Sequence, residues 1–95
     1  MPNQIIEFNR SDWTGKVGQL ELISKNQFRI VGLTDDIFTV VEDADLPNLI
    51  EITTNDNRAY LGIKFEDGKY LFTFMGIDRE HSDPRIAFAQ VMWSV

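Results

Sequence analysis

RAYLGIKFEDGKYLFTFM, residues 58–75, is the stretch on which the fold class turns. Ala59, Leu61, Ile63 and Phe65 alternate with Tyr60, Gly62 and Lys64; beyond Glu66-Asp67-Gly68-Lys69, Tyr70, Phe72 and Phe74 alternate with Leu71, Thr73 and Met75. A period of two places successive side chains on opposite faces of a strand. Asp-Gly between two such runs supplies the positive φ angles of a tight type I′ turn, so the stretch predicts a β-hairpin.

Turn signals recur on both sides of this hairpin at the spacing of an all-β chain. Asn55-Asp56-Asn57 leads into it from Leu49-Ile50-Glu51-Ile52-Thr53-Thr54, a strand that follows Pro47. Asp45-Leu46-Pro47-Asn48-Leu49 has room for one helical turn. Ile37-Phe38-Thr39-Val40-Val41 is β-branched and lies between the acidic turns Thr34-Asp35-Asp36 and Glu42-Asp43-Ala44-Asp45. A second hairpin is expected at Lys25-Asn26, with Leu20 and Leu22 before it and Phe28 and Ile30 after it; Ile5-Ile6-Glu7-Phe8 makes a short first strand. The fold class is mainly β, a single domain over residues 1–95. About seven or eight short strands form one antiparallel meander, closed as a small barrel or strongly curved.

The C-terminal segment is ambiguous. Ser82-Asp83-Pro84 is a helix start, an N-cap followed by proline at the first helical position. From Ile86 to Val95, however, no side chain is charged, and at helical spacing Ile86 and Trp93 fall opposite Phe88, Val91, Met92 and Val95. A helix apolar all round needs burial all round, so a strand is favoured, with a helix packed on the sheet as the alternative. Apolar surface left uncovered here would serve a homodimer through Ile86 to Val95. The phenylalanines Phe8, Phe28, Phe65, Phe72 and Phe74 are expected in the core, and Gly15 with Gly18 as a flexible lead into a strand.

Composition removes several chemistries. The 95 residues include no cysteine, which excludes disulfides, thiolate metal sites and a thiol nucleophile. Residues 1–4, MPNQ, lack a basic run before an apolar one, and no stretch approaches a membrane span, so a cytoplasmic location is expected. His81 is the lone histidine; Ser82, Asp78 and Asp83 are near in sequence, but residues 78–83 read as an exposed polar loop and not as a triad. Asp43-Ala44-Asp45 begins like a calcium loop and then lacks its later ligands and turn glycine. No glycine pattern cradles phosphate. No catalytic residue, metal or cofactor is assigned, and an enzyme is not expected.

Charge is the positive signal. The net charge is −6, and between Ile30 and Asn57 there is no lysine or arginine, while Asp35, Asp36, Glu42, Asp43, Asp45, Glu51 and Asp56 stand in that interval. A field of one sign repels nucleic acid and anionic membranes and attracts a basic surface. The function read from this is a noncatalytic acidic protein-binding module that occludes a basic surface on a larger protein, the profile of a small inhibitor, immunity protein or antagonist. Its partner-binding candidates are Asp35, Asp36, Phe38, Glu42, Asp43, Asp45 and Trp13. The alternative is a small β-barrel whose phenylalanines line a cavity for an apolar or aromatic small molecule.

Overall fold

The computed structural model describes residues 3–10 and 15–94. Eight strands follow one another in chain order: β1 (Gln4–Asn9), β2 (Val17–Leu22), β3 (Gln27–Ile30), β4 (Phe38–Val41), β5 (Leu49–Thr54), β6 (Ala59–Lys64), β7 (Tyr70–Phe74) and β8 (Ile77–His81), with helix α1 (Pro84–Ser94) last. Each strand pairs antiparallel with the next, β1 and β8 being the two ends of the sheet. The sheet curls into a half-barrel, and α1 lies in its hollow.

The concave face supplies Phe8, Leu20, Phe28, Ile30, Phe38, Ile50, Ile52 and Phe72 to the core, and α1 supplies Ala87, Phe88, Ala89 and Val91. Phe88 is the hub: its ring centroid lies 5.0 Å from that of Phe38, 5.2 Å from Tyr60, 5.6 Å from Phe72 and 6.2 Å from Phe28. The edge-to-face pairs among these set positive ring edges against negative ring faces and add to the area buried.

The C-terminal segment is therefore a helix and not the favoured strand. A curved sheet wraps more of a helix than a flat one does; residues 87–91 are all buried, with Ile86, Met92 and Trp93 partly so. The start signal is used as read: Asp83 Oδ1 accepts from the Arg85 N–H at 2.9 Å, and the Asp83 carbonyl accepts from the Ala87 N–H at 3.0 Å. The helix packs on β7 and β8. It reaches the opposite edge through Gln90, whose buried Nε2 donates to the Asn9 carbonyl at 2.7 Å.

The hairpin at 58–75 forms, but its turn differs from the predicted type. Gly68 N–H donates to the Phe65 carbonyl at 3.1 Å and Phe65 N–H to the Lys69 carbonyl at 2.9 Å. Of the loop residues Glu66, Asp67 and Gly68, only Gly68 has a positive φ, +87°. This is a three-residue loop, a type I turn closed by a left-handed residue and a bulge. A two-residue I′ turn would set Ile63 opposite Phe72; the extra loop residue sets Gly62 opposite Phe72 and Ile63 opposite Leu71. A shift of one residue exchanges the faces of a strand. Leu61, Ile63 and Phe65 are thereby turned outward, Phe65 with 39% of its surface exposed, against the expectation of a core residue.

Gly62 is what the inner face requires. A Cβ there would stand 2.6 Å from Phe72 Cζ, and one at Gly18 would stand 2.5 Å from Phe8 Cζ. Each phenylalanine lies over the glycine directly across from it, Phe8 over Gly18 and Phe72 over Gly62. Gly18 is thus a packing position and not a flexible lead-in.

Residues 78–83, read as a loop, are mostly strand β8. Met75 and Gly76, at φ +55° and +78°, make the two-residue turn that sets Phe74 opposite Ile77. Charged side chains suit a sheet edge because they discourage pairing with other chains. Between β4 and β5 the chain makes turns and no helix.

Candidate docking face

β4 is short, and its two flanking loops divide the acidic residues. Asp35 and Asp36 precede it; Glu42, Asp43 and Asp45 follow it, about 13 Å of strand away. The two groups of carboxylates stand at opposite ends of β4. Phe38, expected to meet a partner, is 2% exposed and stacks on Phe28 at 5.5 Å inside the core, because it takes the inner face of β4. Trp13 lies outside the described residues.

At the Asp35–Asp36 end the Asp36 carboxylate is engaged within the chain. Asp36 Oδ2 accepts from Arg58 Nη2 at 3.2 Å, and Arg58 Nε donates to Asp56 Oδ1 at 3.1 Å. Thr54, buried at the end of β5, hydrogen-bonds the Asp56 carboxylate and accepts from the Arg58 N–H at 3.0 Å. The bonds from Thr54 and then Arg58 hold the Asp56 carboxyl below its ordinary range. This end is a turn locked by its own charges.

The other end is open and lies beside an apolar face. On the convex side, cross-strand pairing makes one row of Val41, Glu51 and Leu61 and a second of Leu49, Ile63 and Leu71. Leu61 is 62% exposed and Ile63 45%. The β4–β5 loop folds Leu46, itself 51% exposed, towards them. Val41, Asp43, Leu46, Leu49, Ile50, Glu51 and Leu61 line a hollow of about 70 Å³. A neighbouring hollow of about 330 Å³ is bounded by Glu42, Asp43, Ala44, Leu46, Pro47, Leu49 and Lys64. The loop holds its shape through Asp43, whose Oδ1 accepts from the Asp45 N–H at 2.9 Å and whose carbonyl accepts from the Leu46 N–H at 3.0 Å. Exposed aliphatic side chains with an acidic margin can exclude water at their centre and select charge at their rim.

Sequence reading found the acids Glu42, Asp43 and Asp45 but not Leu46, Leu49, Leu61, Ile63 or the placement of Glu51. Nothing local in the sequence marks Leu61 and Ile63 as outward: Gly62 lies beneath the Phe72 ring and faces inward, so its neighbours point out.

His81 is on β8, where its Nδ1 accepts from the Asp83 N–H at 2.9 Å. Asp83 is engaged by Arg85, Nη2 to Oδ2 at 2.8 Å. Burial would raise the Asp83 carboxyl, but the hydrogen bonds from the Arg85 side chain and backbone outweigh it and hold the group below its usual range. This arrangement starts a helix. Among the described residues no group of three or more histidine, aspartate or glutamate side chains is placed to hold a metal ion, and no helix is long and apolar enough to cross a membrane. The interior in which an apolar ligand would sit is occupied by Phe88.

No protein-family model, curated protein or solved structure matches this chain.

Proposed function

We propose that the chain is a noncatalytic protein-binding module that docks the convex face of β4–β6 on a basic surface of a larger protein and occludes it. One observation carries the reading: Val41, Leu46, Leu49, Leu61 and Ile63 are exposed together, and Glu42, Asp43, Asp45 and Glu51 stand among or beside them. A second copy is a poor occupant, because a two-fold contact would bring these acids against their own kind with Lys64 as the cation lining the adjoining hollow. A basic partner gains attraction at the rim and a faster encounter.

The test is affinity capture by immobilised chain, followed by kinetics with the purified binder. Expected is a basic protein whose association slows steeply as salt rises. Leu61→Lys should weaken it by about tenfold or more, the loss typical of a central contact. Asp35→Asn with Asp36→Asn should change it by less than about twofold. A binder insensitive to Leu61→Lys, or lost with the Asp35 and Asp36 pair, overturns the reading.

A further inference from the structure

We propose that the row Val41–Glu51–Leu61 seats an arginine side chain of the partner; the inference rests on the docking face above and names the chemistry that face selects. Glu51 is half-buried on the convex side of β5, and both of its cross-strand neighbours are aliphatic, Val41 on β4 and Leu61 on β6. Two other carboxylates of the convex side face partners across the strands, and Glu80, opposite Leu71, has Lys69 Nζ 3.6 Å away. Glu21 faces Arg29 and meets its Nη2 at 2.6 Å, and Asp78 faces Thr73 and accepts from its Oγ1 at 2.7 Å. Aliphatic neighbours deprive Glu51 of solvent without giving it a cation. The sheet leaves that cation to come from outside.

The shape of the site favours guanidinium over ammonium. Glu51 and Asp43 both border the hollow of about 70 Å³, with Leu46 and Leu61 among its apolar walls. Asp43 spends one carboxylate oxygen on the Asp45 N–H and keeps the other. An arginine laid across Leu61 would bury its methylenes there, stack its planar head on aliphatic carbon and fork its N–H groups onto Glu51 and Asp43. A lysine ammonium is a strongly hydrated point charge and gains less from apolar walls. The partner surface implied is an arginine flanked by apolar side chains that meet Leu49 and Ile63.

The probes are nona-arginine and nona-lysine peptides, equal in charge, titrated at low salt into the isotope-labelled full chain and followed by NMR. Expected is binding of the arginine peptide about fivefold tighter than the lysine peptide, with the largest shifts at Val41, Asp43, Glu51 and Leu61. Glu51→Gln should remove that preference, as should Leu61→Ser, which keeps the carboxylate and takes away the wall. Both variants lie on the outer face, and their thermal melts check that they fold. Asp35→Asn with Asp36→Asn should weaken both peptides alike and leave the preference intact. Equal affinities with the shifts still centred on β4–β6 would overturn the arginine seat and spare the docking face. Shifts centred elsewhere, or none, would overturn both.

Discussion

Gly62→Ala tests the packing that turns Leu61 and Ile63 outward. The added Cβ would stand 2.6 Å from Phe72 Cζ and 2.8 Å from Cε1 and Cε2. Carbon atoms rest about 3.5–4.0 Å apart, so the ring must retreat by about 1 Å. It has nowhere to go: Phe72 is 2% exposed, with the Phe88 ring 5.6 Å away, centroid to centroid. Overpacking of this kind costs about 1–3 kcal/mol. Gly62 has no positive φ, and alanine in a strand interior is itself better than glycine by about 0.5–1 kcal/mol. The net expectation is a loss of about 1 kcal/mol, which for a domain of this size lowers the melting temperature by about 4–8 °C. Urea and thermal melts read it. Replacing Phe72 by leucine in the Gly62→Ala background removes the atom in conflict, so the double variant should be more stable than the sum of the singles by about 1 kcal/mol. A Gly62→Ala protein as stable as the wild type, or strict additivity of the pair, would refute the ring-over-glycine packing and the register derived from it.

Leu61→Lys should leave stability within about 0.5 kcal/mol of the wild type, whereas Ile52→Ala, on the inner face of the adjacent strand, should cost about 2–5 kcal/mol; chemical denaturation of both separates outer from inner. Met75 holds a left-handed conformation at φ +55° with 74% of its surface exposed, so Met75→Asn should raise stability by about 0.5–1 kcal/mol in a thermal melt. The folded Asp83 carboxyl sits below its ordinary range, so the unfolded chain binds its proton first on acidification. The contribution of Asp83 is complete above about pH 4 and is lost as pH falls through the lower folded value. Asp83→Asn keeps a capping side chain but should flatten this acid limb of the stability–pH curve.

The strands were legible where alternation and turn residues coincided, as at Leu49–Thr54 and in the hairpin from Ala59 to Phe74. The helix start was legible too, since Asp83-Pro84 acts through local geometry alone. What escaped were decisions made by tertiary contact. Asp67-Gly68 permits a two-residue or a three-residue loop, and only the fit of Phe72 over Gly62 chooses between registers that differ by one. Likewise nothing local says that residues 86–94 will lie in a groove, which is what makes a helix without a polar face affordable. Phe38 and Glu42 share an acidic stretch of sequence, yet alternation sends the first into the core and the end of β4 leaves the second in the loop. Charge density along the chain could not divide Asp35 and Asp36 from Glu42, Asp43 and Asp45, because the division is the length of a strand and not a change in composition.

The fold itself gives no reason for the aliphatic side chains of the docking face. A single curved layer with its helix inside exposes its convex side along its whole length, and over β1–β3 that side carries Glu7, Gln19, Glu21, Gln27 and Arg29, with Ile5 and Val17 the apolar exceptions. The same pleat over β4–β6 carries Val41, Leu49, Leu61 and Ile63 beside Thr39, Glu51, Thr53 and Ala59. Polar residues are evidently compatible with the outer face of this sheet, and they would protect it from aggregation at no expense to the core. The part of these side chains that water reaches, 62% of Leu61, contributes nothing to folding unless something covers it. Acids at the margin of such a patch repel a second copy and the backbone of nucleic acids alike, and they attract a basic protein surface. On the proposed function the two features act as one device, the charge choosing the partner and the leucines holding it.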